Sequence, residues 1–248
     1  MDLNTTRNYK CLAFLSMLYV TLKLITVVLV YKIIRIGPFS GSASVLMIPF
    51  WFALGDIIVE VYGYRIAKQL IWTAILCQFL FSFVCAGLIT IESPPAWGNQ
   101  AAYSQVLGSL PRVALASSCA IMCGAFANAY FVSKWKILLK GKYFWLRSLG
   151  AAVIGEFVFT VVAYIAAFFG QTTFSTIIEL ISVSFFTKLA LNPILSVPSV
   201  YLARYIKAIE KIDTYDFEAD FNPFKLNFAS LNRNHEKPDV KPDVRTTK

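Results

Sequence analysis

The sequence predicts an all-α membrane protein of six transmembrane helices. Three observations carry that expectation. The chain is 57% hydrophobic and only 15% charged, where an ordinary soluble domain carries about 25% charged residues. Its apolar residues fall in six long runs, each near or above the roughly 20 residues that cross a bilayer core as a helix, and far too long for barrel strands. Lys and Arg gather on alternate connections between those runs, as the positive-inside rule describes.

The first run, roughly 11–33, follows Arg7 and Lys10. It exceeds a signal-peptide core of about 7–15 residues, and Lys23 interrupts it. The second, roughly 44–63, contains Asp56 and Glu60, and Arg65 and Lys68 fill the tight turn after it. The third, roughly 69–91, leads into the connection 92–111, which lacks Lys and Arg and holds the turn-rich stretch ESPPAWGNQ with an interfacial Trp97. The fourth, roughly 112–134, repeats Ala116, Ala120 and Gly124 every four residues; the fifth, roughly 145–169, repeats Ala151 and Gly155. Such spacing lets membrane helices approach closely. Lys134, Lys136, Lys140, Lys142 and Arg147 flank the turn between them. The connection 170–179 again lacks basic residues, and Arg204, Lys207 and Lys211 follow the sixth run, roughly 180–204. This pattern puts both termini in the cytoplasm and 92–111 and 170–179 outside, with Lys32 and Arg35 as mild exceptions. Residues 1–206 are expected to form the transmembrane domain, and 207–248 a cytoplasmic polar tail, largely disordered, that ends in KPDVKPDV.

Charge and cysteine usage exclude several classes. The net charge is +9, but residues 1–206 hold 15 Lys and Arg against 6 Asp and Glu, whereas 207–248 hold 8 against 8. The excess therefore belongs to the membrane region and orients it; a nucleic-acid partner is not expected. The five cysteines form no CxxC pair and the single histidine is His235, so no metal site is expected. Cys119 and Cys123 share a helix face and are expected to be small buried thiols. No HExxH, GxSxG or Walker motif occurs, so neither an enzyme nor a cofactor is expected.

Asp56 and Glu60 lie four residues apart in the apolar stretch FWFALGDIIVEVYG, which places both on one helix face. A charge at mid-bilayer costs about 2.5–3.5 kcal/mol on insertion scales. The pair should therefore face the bundle interior. Glu156 in the fifth run, and Lys188 and Lys23 in the sixth and first, supply further interior charge. Mutual neutralisation would account for them, but intramembrane ionisable groups mark a pathway or binding site by default. The middle run of each half carries the acid, and the halves run in opposite orientation. That is the pattern of a 3+3 inverted repeat with a substrate site at its interface.

The stretch IPFWFALGDIIVEVYGYRIAK, with Pro49, Asp56, Glu60, Tyr62, Gly63 and Ala67, resembles a pattern of the queuosine precursor transporter family, also described as vitamin uptake transporters. Arg147, Gly155 and Glu156 in LRSLGAAVIGE, Lys188 and Pro198 in KLALNPILSVP, and Lys32 extend the resemblance over about residues 10–206. Ala125 and Asn128 stand where the family often carries Gln and Asp, and Phe159-Thr160 where it often carries Asp-Ser. The resemblance implies a multi-pass protein of the bacterial inner membrane that imports 7-cyano- or 7-aminomethyl-7-deazaguanine, as a secondary active transporter. The alternative is a substrate-binding membrane subunit energised by a separate ATPase. A carboxylate can accept the N1 and 2-amino hydrogens of a guanine-like ring, and Phe50, Trp51, Phe52 or Tyr62 can stack on it. The substrate-binding or proton-coupling set is thus Asp56, Glu60, Glu156, Lys188, Asn128 and Tyr62. The expected partners are a small heterocyclic substrate and the lipid bilayer, with a homo-oligomer compatible with both.

Overall fold

The computed structural model describes residues 9–37, 39–216 and 221–225. Among the described residues, six apolar helical segments are long enough to cross a membrane: α1 (Leu12–Leu29), α2 (Ile48–Tyr62, entered through a 3₁₀ turn Ala43–Leu46), α3 (Tyr64–Leu88), the composite Gln100–Leu138, α7 (Phe144–Phe168) and α8 (Phe174–Glu210). The composite consists of a short α4 (Gln100–Leu107), α5 (Leu110–Ala120), a π-helical turn (Ile121–Ala125) and α6 (Phe126–Leu138). Every expected run is therefore a helix. The fourth and sixth are longer than their apolar stretches, because polar helical turns extend them beyond the apolar core.

Two connections depart from the sequence reading. The first helix stops at Leu29, and Ile33–Ile36 pairs antiparallel with Phe39–Ser42, a hairpin that brackets Gly37 (φ +61°). The Ser42 hydroxyl donates to the Val30 carbonyl at 2.6 Å and accepts from Ser44 N, which starts the 3₁₀ turn. The turn between α2 and α3 is Gly63 alone, and Arg65 and Lys68 belong to the first turns of α3. Gly63 has φ +85°, and a Cβ there would lie 2.8 Å from Asp216 Oδ1, so a side chain meets both backbone strain and a clash.

α2 is the most enclosed span. It packs against α1, α3, α6 and α8, while α7 fills the gap between α5, α6 and α8. The small-residue stripes account for that fit. A Cβ on Gly124 would lie 2.5 Å from the Gly155 carbonyl oxygen, and one on Gly155 would lie 2.6 Å from Asn128 Cβ. The backbones of the π turn and α7 are in close contact there. Cys119 and Cys123 are exposed on the outer face of this helix, contrary to the expected burial: the stripe of Ala116, Ala120 and Gly124 takes the inward positions, and the thiols point the other way. Phe50 is likewise 44% exposed and faces out of the bundle, away from any interior ligand.

α8 contains Pro193 and Pro198. Each proline lacks an N–H and pushes away the carbonyl one turn earlier, that of Leu189 for Pro193 and of Ile194 for Pro198, a break that membrane helices tolerate. Ser196 and Ser199 donate to the Pro193 and Leu195 carbonyls at 2.7 Å. The helix continues to Glu210 and takes in the first four residues of the expected tail. Residues 212–216 and 221–225 lie against the bundle; the expected disorder of the remaining tail concerns residues outside those described.

Candidate functional site

The geometry of α2 separates the two acids that its spacing aligns. Asp56 is 1% exposed. Its Oδ1 accepts from Asn128 Nδ2 on α6 at 2.5 Å, and its Oδ2 accepts from the Ser148 hydroxyl on α7. The π turn explains why Asn128 can serve: an extra residue in the turn rotates α6 relative to α5, and such bulges recur at functional sites. Asp56 is thus held by neutral donors.

Glu60, one turn along, stands in an ionic cluster. Arg147 Nη1 donates to its Oε2 at 3.0 Å and Lys207 Nζ to its Oε1 at 2.5 Å. Lys136 donates to the Glu60 carbonyl at 2.6 Å and pairs with Asp213 at 2.7 Å, and Lys207 reaches Asp213 at 2.8 Å. Arg147 is fully buried and also donates to the Lys142 and Val132 carbonyls. Both Glu60 carboxylate oxygens are thereby engaged.

The C-terminal segment closes this basic end as a strap. Thr214 N donates to the Val61 carbonyl at 3.4 Å. Asp216 Oδ2 accepts from Tyr64 N at 2.8 Å and from the Ser133 hydroxyl at 2.6 Å. Lys68 donates to the Asn222 carbonyl at 3.0 Å, and Trp72 Nε1 to the Pro223 carbonyl at 2.8 Å. Tyr62 belongs to the same end: its hydroxyl donates to Glu210 Oε1 at 3.1 Å. Asp213, outside the spans, is affected first by burial, which alone would raise its pKa; the Lys136 and Lys207 charges outweigh it and hold the carboxyl below its ordinary value of about 3.8.

Deeper in the bundle, Glu156 on α7 accepts from Asn192 Nδ2 on α8 at 3.2 Å. The ammonium of Lys188 donates to the Thr160 hydroxyl and stands 5.6 Å from the centre of the Phe159 ring. It forms no ion pair with Glu156 within 4 Å among the described residues. The expected charge balance therefore acts across a gap. Trp51 packs edge-on to Phe52 and tilted against Phe159. One small cavity is lined by Phe52, Asp56, Ser148, Asn192 and Ser199, and another by Trp51, Phe52, Gly55, Ala125 and Asn128. Phe52 borders both.

Among the described residues, three buried polar atoms of this region have no hydrogen-bond partner: Trp51 Nε1 and Asn128 Oδ1, on residues that line the second cavity, and Glu156 Oε1, whose carboxylate holds Asn192 of the first. An unmade hydrogen bond in the interior costs about 1–3 kcal/mol, so each such atom asks for an explanation. Together they provide one donor and two acceptors.

Of the residues singled out in the sequence, the structure gathers Asp56, Asn128, Glu156 and Lys188 into the interior of the helix bundle, and places Glu60 and Tyr62 at the strapped end. Sequence reasoning missed Ser148, Thr160 and Asn192, whose hydroxyl and amide groups look ordinary in isolation. Their spacing offered a weak signal: each lies four or eight residues from Glu156 or Lys188 on the same helix, hence on the same face. Lys136 and Lys207 were legible only as orienting charges.

Six apolar helices around a buried polar centre define a multi-pass membrane protein of the transporter type. Residues 42–203 match the family model described as "Putative vitamin uptake transporter". The chain is 25% identical over 180 residues to the "Probable queuosine precursor transporter" of Bacillus subtilis (strain 168), covering 71% of this chain and 76% of that one. It is 23% identical over 163 residues to the "Queuosine precursor transporter" of Escherichia coli (strain K12), covering 66% of this chain and 71% of that one. No solved structure matches. The chain belongs to the vitamin uptake transporter family.

Proposed function

We propose that this protein imports queuosine precursors, namely 7-cyano- or 7-aminomethyl-7-deazaguanine, by secondary active transport. The observation that carries the reading is the set of unpartnered buried atoms, Trp51 Nε1, Asn128 Oδ1 and Glu156 Oε1, beside a fixed Asp56 carboxylate. A guanine-like ring presents donors at N1 and its 2-amino group and acceptors at its carbonyl and N3, which complement that set. The names of the two relatives support the same substrate class.

In this reading Asp56, Asn128 and Glu156 contact the heterocycle, and Trp51 and Phe52 wall it. Lys188 is a positioning residue that offsets the acid charge from Thr160. Glu60 and Tyr62 act elsewhere. With both termini in the cytoplasm, the cluster of Glu60, Arg147, Lys136, Lys207 and Asp213 lies at the cytoplasmic mouth and holds the exit shut. Release of substrate then requires that cluster to part, as alternating access demands.

The test is calorimetric titration of the purified chain in nanodiscs with each base. Saturable binding by the wild type, weakened at least tenfold in Asn128→Ala and Glu156→Gln, supports the reading. No heat from either base in a folded wild type rejects it.

A further inference from the structure

Lys23 has no place in the reading above, yet it is one of the most buried side chains of the protein, at 1% exposure. Its ammonium lies 5.1 Å from the centre of the Trp51 ring and 5.7 Å from that of Phe159. Among the described residues it has no hydrogen-bond acceptor and no carboxylate within ion-pair distance. Contacts with two aromatic faces satisfy an ammonium only in part. Its three N–H donors have no other partner among the described residues, and a largely buried ammonium without one is costly.

Lys23 lines a third cavity, together with Thr26, Ser44, Ser117, Phe159 and Tyr164. The hydroxyls in this wall are already engaged. Thr26 donates to the Lys23 carbonyl at 2.6 Å and Ser117 to Gln78 Oε1 at 2.9 Å. Ser44 pairs with Ser42 at 2.8 Å, and Tyr164 pairs with Ser184. The strongest donor left for anything in the chamber is Lys23, and Phe159, which lines the chamber, also lies 5.6 Å from the Lys188 ammonium.

We propose that this chamber binds a hydrogen-bond-accepting group, with the Lys23 ammonium as its donor and Phe159 as its floor. Two sources share that chemistry. One is the carbonyl edge of the heterocyclic substrate, a source that rests on the function proposed above. The other is a free small anion, such as a halide, that enters beside it.

The experiment is thermal stabilisation of the full chain in nanodiscs by a 7-deazaguanine base, by bromide and by gluconate as the non-binding salt. Wild type is compared with Lys23→Met, which keeps the stem and removes the donors, and with Lys23→Gln, which keeps an uncharged donor. The ligand-free melting temperature of Lys23→Met should equal or exceed that of the wild type, because a lone buried charge is removed. If the substrate carbonyl is the occupant, the base stabilises the wild type and its affinity falls at least tenfold in Lys23→Met, with a smaller loss in Lys23→Gln. If a free anion is the occupant, bromide but not gluconate stabilises the wild type, and Lys23→Met abolishes the effect. Should Lys23→Met fail to fold, the same comparison is read from Lys23→Gln alone. Base binding unchanged in the variants, without any bromide effect, overturns the Lys23 site and leaves the transport reading intact. A bromide effect without base binding keeps the site and rejects that reading. Stabilisation of the wild type by neither ligand overturns both.

Discussion

Asp56 and Asn128 stand 72 positions apart and share a 2.5 Å hydrogen bond, from the Asn128 amide to Asp56 Oδ1. The bond ties α2 to α6 just past the π turn, and it leaves the other end of the Asn128 amide free to accept. Asn128→Ala should therefore have two effects. Asp56 loses a buried donor, which costs about 1–3 kcal/mol of stability. Substrate affinity also falls, because the free acceptor disappears with the amide. Melting in detergent and calorimetry on the same sample separate the two.

Gly155 shows how closely that bond depends on backbone packing. A methyl group there would lie 2.6 Å from Asn128 Cβ and 2.9 Å from the Gly124 carbonyl oxygen. Gly155→Ala should destabilise the bundle by about 1–3 kcal/mol through overpacking. It should also push Asn128 away from Asp56 and weaken binding. A melting curve unchanged from the wild type would contradict the close approach of α7 to the π turn.

The two acids of α2 should respond differently to neutralisation. Glu60→Gln leaves Lys136, Arg147 and Lys207 facing Asp213 as the one carboxylate remaining from the cluster. Breaking a buried ion pair by removing one partner costs about 3–5 kcal/mol, so this variant should melt markedly lower. Asp56→Asn keeps both neighbours and a similar shape, and should lose substrate binding with a small change in melting. Equal melting losses for both variants would deny the separation into two sites.

The strap should be released by acid, but only well below neutrality. The folded pKa of Asp213 lies below its ordinary value of about 3.8, so its contribution is fully present above that value and is lost as pH falls through the lower folded one. Hydrogen exchange at residues 212–216 should thus be flat from pH 7 to 5 once corrected for the intrinsic rate. Asp213→Asn should raise that exchange at neutral pH. Protection that is identical in the variant would show that Asp213 does not tether the strap.

Much of this architecture was legible in the chain. Six runs of sufficient length and hydropathy announce six helices, and the spacing of Asp56 and Glu60 announces a shared face. The Gly124 and Gly155 stripes likewise announce close packing. What the sequence withheld depends on partners brought from afar. Ser148, Lys207 and Asn128 decide that Asp56 meets neutral donors and Glu60 meets cations, and no local pattern marks that choice. The π turn adds one residue within an apolar run and leaves no compositional trace. The hairpin at 33–42 is too short to show a period, and the strap is polar because it satisfies backbone groups at the bundle end, so it reads as tail. Cys119 and Cys123 misled because small thiols suit both a buried face and a lipid-facing one.

The central claim is that the carboxylates of the membrane interior lie on the path of a queuosine precursor. The most direct test is uptake of labelled 7-aminomethyl-7-deazaguanine by bacteria unable to make it, expressing the wild type, Asp56→Asn or Glu156→Gln at equal levels. Uptake by the wild type is expected, with at least a tenfold loss in both variants and each still inserted in the membrane. Uptake that persists in both variants, or none by a well-expressed wild type, would contradict the claim.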